Sequence, residues 1–300
     1  MSYLSERRAL VLGSLNPAQC RGIEFGPLDN PLVRKQEGDI SYVDYASTEV
    51  VRRQHASGSS IRPENILDID YTWGDTPISQ IIPNFKPFDY AVAAHVIEHV
   101  PDVVGWLLEI HSLLVRSGLV GLIIPDRRHT FDFARAESTV GEMMEAHFQR
   151  YRRPSMRQVF DHCWSAVDLD KSVSWNCDPS RIELRSFMGD IGLQLAHDQA
   201  ASLRTEARYF DSHCWVFTPD SFLRCCEALA KLGYFPFIAE HIQATVVGEF
   251  EFIVRLRTHD PTDRVSTLRS LQLARERVAD DPNEHEYARR MQAFRARDKS

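Results

Sequence analysis

The sequence predicts an α/β protein: an open sheet of about seven strands, mostly parallel, finished by a C-terminal antiparallel hairpin and carrying an inserted, mainly helical cap. Three observations predict it. Short apolar runs alternate with helical or loop crossovers through the first half of the chain. Those runs lack the in–out alternation of half-exposed strands, which suits strands buried on both faces. A helix and then two strand-like runs close the regular part, Pro219 to Arg257.

The elements follow in order. Arg21–Phe25, Ile40–Val43, Asn65–Ile69, Tyr90–Ala94 and Leu119–Ile124 read as strands, each running into Asp, Glu, Gly, His or Pro. Only about 15 residues separate the first two strands, too few for a full crossover helix. The clearest helix starts at Asp102. It repeats Val103, Trp106, Leu107, Ile110 and Leu114 at helical spacing and stops at Ser117-Gly118. Residues 127–215 then lose the alternation and become rich in Arg, His and aromatics, with a helix around Thr139 to Tyr151. Thr218-Pro219-Asp220 starts a helix that ends at Gly233. Phe235–Ala244 and Glu249–Arg257 form the hairpin about a tight Val247-Gly248 turn. The domain reading is a core of residues 1–126 and 216–257, a substrate cap of 127–215, and a charged helical tail of 258–300. In the tail, Leu268, Leu271 and Val278 make a thin stripe for packing on the body or on a partner, a homodimer included.

Composition narrows the function. The 300 residues are 43% hydrophobic and 26% charged, enough for an ordinary core and too apolar for a disordered chain. A net charge of −7 argues against general nucleic-acid binding. No apolar run approaches the roughly 18 residues that span a bilayer, and the start is not a signal peptide. A cytoplasmic protein with reduced thiols is expected, since the six cysteines include no Cys-x-x-Cys pair.

Ligands of open α/β sheets bind beyond the carboxyl ends of the strands, and the informative residues sit there. Glu24, Gly26 and Pro27 follow the first strand, and Gly26 permits close backbone approach. Asp44 ends the second, about 20 residues after Glu24, where a carboxylate accepts from a ribose diol. Asp68 and Asp70 end the third, suited to an adenine amino group, and His95 ends the fourth.

The stretch Phe88-Asp89-Tyr90-Ala91-Val92-Ala93-Ala94-His95-Val96-Ile97-Glu98-His99-Val100, followed by Trp106-Leu107-Leu108-Glu109-Ile110 and Arg116-Ser117-Gly118, resembles the class I S-adenosylmethionine-dependent methyltransferases, whose fold is Rossmann-like. The resemblance implies S-adenosylmethionine as cofactor, S-adenosylhomocysteine as product, and transfer of a methyl group to oxygen or nitrogen. It covers about two-thirds of the chain and leaves out the insert and the tail. The family's loop is commonly Glu-x-Gly-x-Gly; here Gly26 stands alone beside Pro27 and Pro31. That departure fits either a branch with a rigid proline loop or a domain that has lost the cofactor. Glu24 and Asp44 favour the first.

A hydroxyl acceptor needs its proton removed, and His129, Asp132 and His99 are the candidate catalytic groups. Arg150 and Arg153, with Arg152 and Arg157, suit an anionic substrate, and His162, His213 and Trp215 complete the candidate substrate set. The His-Cys-Trp triplets at 162–164 and 213–215 show no metal spacing, so no metal is expected. The expected substrate is a small polar molecule such as a sugar or nucleotide-sugar intermediate. The alternatives are a cofactor-degenerate, partner-binding domain and a cofactor-binding enzyme of another reaction.

Overall fold

A computed structural model describes residues 3–56, 61–74, 76–169, 171–176, 189–206 and 208–297. Seven strands form one sheet: β1 (Arg21–Phe25), β2 (Asp39–Asp44), β3 (Tyr71–Thr72), β4 (Phe88–Ala94), β5 (Leu114–Pro125), β6 (Phe237–Gln243) and β7 (Glu251–Thr258). Their order is β3-β2-β1-β4-β5-β7-β6, with β7 antiparallel to both neighbours and the first five strands parallel. This is the mostly parallel, Rossmann-like sheet with a C-terminal antiparallel hairpin that the sequence predicts. The chain steps outward from β1 to β3, returns to β4 on the other side of β1, and so opens a crevice at the carboxyl ends of β1 and β4.

Side-chain alternation gives the sheet two faces. Ile23, Ala91, Ala93, Val120, Leu122 and Ile124 point into the larger core, with residues of α4 (Val103–Leu113), α9 (Pro219–Leu232) and α10 (Arg264–Ala279). Tyr42, Tyr90, Val92, Leu119 and Ile123 face the other way, onto α1 (Tyr3–Leu12) and the Leu32-Val33 loop. At Gly121 α1 packs close on the sheet: a Cβ there would lie 2.3 Å from Val11 Cγ1. The first helix has no counterpart in the sequence reading, because Tyr3–Leu12 is only weakly amphipathic.

Four boundaries differ from expectation. The third strand is Tyr71–Thr72, not Asn65–Ile69, because the N–H groups of Leu67 and Ile69 go to Leu28 O and Thr48 Oγ1 instead of a ladder. Helix α4 ends at Leu113 and β5 begins at Leu114, five residues before the predicted strand. Ser117, at φ +59°, turns the chain within a register shift there, so the helix does not run to Ser117-Gly118. The hairpin strands are shorter at the turn, joined by residues 244–250, and Val247-Gly248 form only the centre of that connection.

The remaining helices are α2 (Thr48–Gln54), α3 (Ile78–Ile81), α5 (Val140–Phe148), α6 (Met156–Ser165), α7 (Lys171–Asn176), α8 (Gly192–Ser202) and α11 (Pro282–Arg297). Reciprocal capping boxes start α5 (Thr139/Glu142), α6 (Ser155/Gln158) and α9 (Thr218/Ser221), and Gly233 at φ +89° ends α9. Residues 127–215 split between two cores. Met143, Ala146, Cys214 and Trp215 join the main one, whereas Val159, Cys163 and Ala196 make a small one of their own. In the tail, Leu271, Ala274 and Val278 of α10 are buried. Helix α11 is held by Arg128, whose guanidinium bridges buried Asp126 (2.5 Å) and Glu284 (2.7 Å) and lies 4.6 Å from the Tyr287 ring. Cys20, Cys163, Cys214, Cys225 and Cys226 are free thiols; Cys177 lies outside the described residues.

Candidate active site

A cavity of about 1420 Å³ opens at the carboxyl ends of β1, β2 and β4. Each strand delivers its last residues to the wall because the polypeptide must leave the ladder there. Gly26 follows β1 with φ +60°, and a Cβ at this position would lie 2.7 Å from Val96 Cγ2. Only glycine fits both the left-handed backbone and the contact. Asp44 ends β2; one carboxylate oxygen accepts the Tyr45 N–H at 2.7 Å. Burial pushes the Asp44 carboxyl up to about 6, with help from the negative charge of Asp211. Trp73, just past β3, lines the same wall and donates its indole N–H to Glu109 at 3.1 Å. Tyr45 stacks on Tyr209 with ring centres 4.4 Å apart, carrying the cavity wall from the sheet to the cap.

His95 follows β4 in the left-handed region, φ +54°, where a non-glycine residue is strained. Its surroundings hold it there: the backbone N–H donates to Ile123 O at 3.0 Å, and Nε2 lies 2.6 Å from Glu251. Burial lowers the imidazole's basicity, but Glu251 and Glu98 outweigh it and raise the pKa to about 9. Arg7 in turn holds Glu251 from α1 at 2.6 Å.

The turn after His95 carries a layer of imidazoles and carboxylates against the cap. Glu98 is 1% exposed, and neither carboxylate oxygen has a hydrogen bond among the described residues. Its neighbours are His95 Nδ1 at 3.6 Å and His99 Nε2 at 3.8 Å. His99 lines the cavity, and its Nδ1 lies 2.8 Å from Asp211. Behind His99, His213 packs edge-on at 4.7 Å and its Nδ1 meets Asp132 at 2.5 Å. Burial opposes the charge on Asp132, but His213 and Arg135 hold its carboxyl well below the usual carboxylate range. The backbone brings this layer together: the N–H groups of Cys214 and Trp215 both donate to Glu98 O.

The residues singled out from the sequence fall into three groups. Gly26, Asp44, His95, His99, Arg150 and Arg153 line the cavity, and Arg152 joins them. Arg150, Arg152 and Arg153 are exposed at the rim after α5, with no carboxylate partner among the described residues. Arg157 instead pairs with Glu142 and Asp161. His162, His213, Asp132 and Trp215 stand behind the wall. His162 Nδ1 accepts the His213 N–H, and Trp215 donates to Val100 O at 2.6 Å.

The third group is engaged elsewhere. Glu24 points to the opposite face of the sheet and accepts from Leu32 and Val33 at 2.6 and 3.1 Å, so it ties down the proline loop that includes Pro27. Asp68 pairs with Arg52, and Asp70 accepts from Tyr42 N and Lys35. His129 is buried flat against Trp175, ring centres 4.0 Å apart, with its pKa pushed down by burial to about 4. Sequence reasoning missed Tyr45, Trp73, Tyr209 and Asp211. Tyr45 carries a signal, its position directly after the strand-end Asp44; Tyr209 and Asp211 lie in an aperiodic stretch that carries none.

No family model matches the chain, and no curated protein matches it. Solved structures do resemble it. One is an S-adenosylmethionine-dependent methyltransferase from Mesorhizobium loti, 14% identical over 84% of this chain and 96% of that one, with a TM-score of 0.42. Another is the magnesium protoporphyrin IX methyltransferase of Synechocystis PCC 6803 with bound S-adenosylhomocysteine, 9% identical over 85% and 81%, TM-score 0.37. A third is an N-methyltransferase from Bradyrhizobium japonicum WM9, 11% identical over 86% and 94%, TM-score 0.34. Among the described residues no helix is long and apolar enough to cross a membrane.

Proposed function

We propose that the chain transfers a methyl group from S-adenosylmethionine to an oxygen or nitrogen of a small polar acceptor that carries an anionic group. The observation that supports it most is Asp44: a buried carboxylate at the end of β2, in the wall of a cavity at the switch point, beside a glycine that brings backbone to the same wall. The donor set fits the cofactor. Asp44 has a second oxygen with no donor among the described residues that can accept a ribose hydroxyl, Gly26 lets the nucleoside approach, and Trp73 offers an aromatic face. The bound cofactor supplies a methyl group already activated on a sulfonium. The chain's task is then alignment of acceptor and methyl carbon and exclusion of water.

The acceptor end is the basic rim. Arg150, Arg152 and Arg153 present guanidinium forks to a phosphate or carboxylate. A sugar or nucleotide-linked sugar bearing a phosphate or carboxylate is such an acceptor. Calorimetric titration with S-adenosylhomocysteine tests the reading: micromolar binding, lost on Asp44→Ala, supports it. Absence of binding by the intact protein rejects it in favour of a partner-binding domain.

A further inference from the structure

We propose that Glu98, His99 and His213 form a binding site for a divalent transition cation, zinc(II) above all, in the cap-side wall of the cavity. One ligand atom from each of the three lies within 4.8 Å of the others. Glu98 is the second, independent pointer. Its carboxylate is removed from water, lies within 4 Å of two imidazoles, and has no hydrogen bond to either oxygen among the described residues. A buried carboxylate left this way is costly unless something positive completes it.

The outer partners are those a cation site requires. A ligating histidine is oriented by a hydrogen bond at its other ring nitrogen. His213 has Nδ1 on Asp132, and His99 has Nδ1 beside Asp211, which leaves both Nε2 atoms for a cation. Arg135 braces Asp132 and donates to His213 O, and His162 accepts the His213 N–H, so the His213 backbone is held from two sides. His95 stays outside the set because Glu251 holds its Nε2.

Zinc at its usual bond lengths brings tetrahedral ligand atoms to about 3.3 Å from one another. The His99 Nε2 to Glu98 Oε1 separation of 3.8 Å therefore needs to close by only about half an ångström. Two imidazoles and one carboxylate suit zinc and leave a fourth position open, as in catalytic zinc sites. His99 lines the cavity, so that position is available to a ligand there. If the proposed methyl transfer holds, the cation polarises an acceptor hydroxyl, whose proton leaves to solvent. This assigns His99 to the cation, not to proton removal by the imidazole itself. The cation site does not depend on that role.

The test is titration of chelator-treated, dialysed full-length protein with zinc(II), followed by cobalt(II) substitution read by visible absorption. The expected result is one zinc per chain at micromolar affinity or tighter, and the intense visible bands of four-coordinate cobalt. Glu98→Gln and His213→Gln should abolish both. Because Glu98 is buried, Asp211→Asn at a half-exposed side chain provides a milder variant, with zinc affinity reduced about tenfold or more. No zinc uptake by the intact protein, or uptake unchanged in Glu98→Gln and Asp211→Asn, overturns the proposal. Zinc uptake without S-adenosylhomocysteine binding sinks only the methyl-transfer reading; the reverse sinks only the cation site.

Discussion

In the proposed reading, Asp44 and Gly26 set the cofactor end of the cavity. A ribose diol donates to the ionised carboxylate, so Asp44→Asn should weaken S-adenosylhomocysteine by about 10- to 100-fold. The pH dependence follows from the raised carboxyl. Affinity is full above about 6 and falls as pH drops through it, because protonation removes an acceptor. A loss of about tenfold is expected between pH 7 and pH 5. Calorimetry at both pH values should show this for the native chain and a flat response for Asp44→Asn; equal slopes would remove Asp44 from the site. Gly26→Ala forces a Cβ onto Val96 at positive φ and should cost about 1–3 kcal/mol in urea unfolding. It should also weaken ligand binding, since the loop must shift.

At the scale of elements, the C-terminal helix is fastened to the end of β5 by one charged cluster. Arg128 sits between Asp126, which is fully buried, and Glu284 of α11, and Thr245 donates to the same Asp126 oxygen pair. Removing the guanidinium leaves a buried carboxylate unpaired, so Arg128→Ala should destabilise by about 3–5 kcal/mol in chemical denaturation. Burial raises Asp126, but Arg128 outweighs it and holds the folded carboxyl below its usual value. That stabilisation is present above the unfolded pKa of about 4 and is lost as pH falls through the lower folded value. Melting temperatures of the native chain should drop across that acid range, and Arg128→Ala should drop less. The start of α9 at Thr218-Pro219-Asp220 and its stop at Gly233 were legible, because caps act within one helical turn. Helix α1 was not, because its place comes from Gly121 and from the Arg7–Glu251 pair across the sheet.

Across the whole molecule, a net charge of −7 coexists with three arginines at one mouth that have no carboxylate partner among the described residues. The local positive field attracts an anion that the rest of the surface repels. Arg150→Ala and Arg153→Ala should each raise KM for an anionic acceptor about tenfold and leave kcat near its native value. Raising ionic strength should mimic them in the native enzyme. Steady-state kinetics at two salt concentrations check both; insensitivity to salt would place the acceptor away from the rim.

The sequence by itself determined the α/β class and singled out Gly26, Asp44, His95 and His99, which the structure places in the wall of a cavity at the carboxyl ends of the strands. Apolar runs, caps and strand ends are local signals, read within a few residues of where they act. Only the tertiary structure decided which acids face the cavity. Glu24 and its adjacent neighbours Ile23 and Phe25 point to opposite faces of β1, so Glu24 pins the Leu32-Val33 loop while the residues that follow the strand line the cavity. Asp68 and Asp70 are drawn off by Arg52, Lys35 and the β2 backbone. It also decided that Glu98 meets His213, more than a hundred residues away, through backbone hydrogen bonds from Cys214 and Trp215. No local spacing encodes that meeting, because it depends on how the cap returns across the carboxyl edge of the sheet.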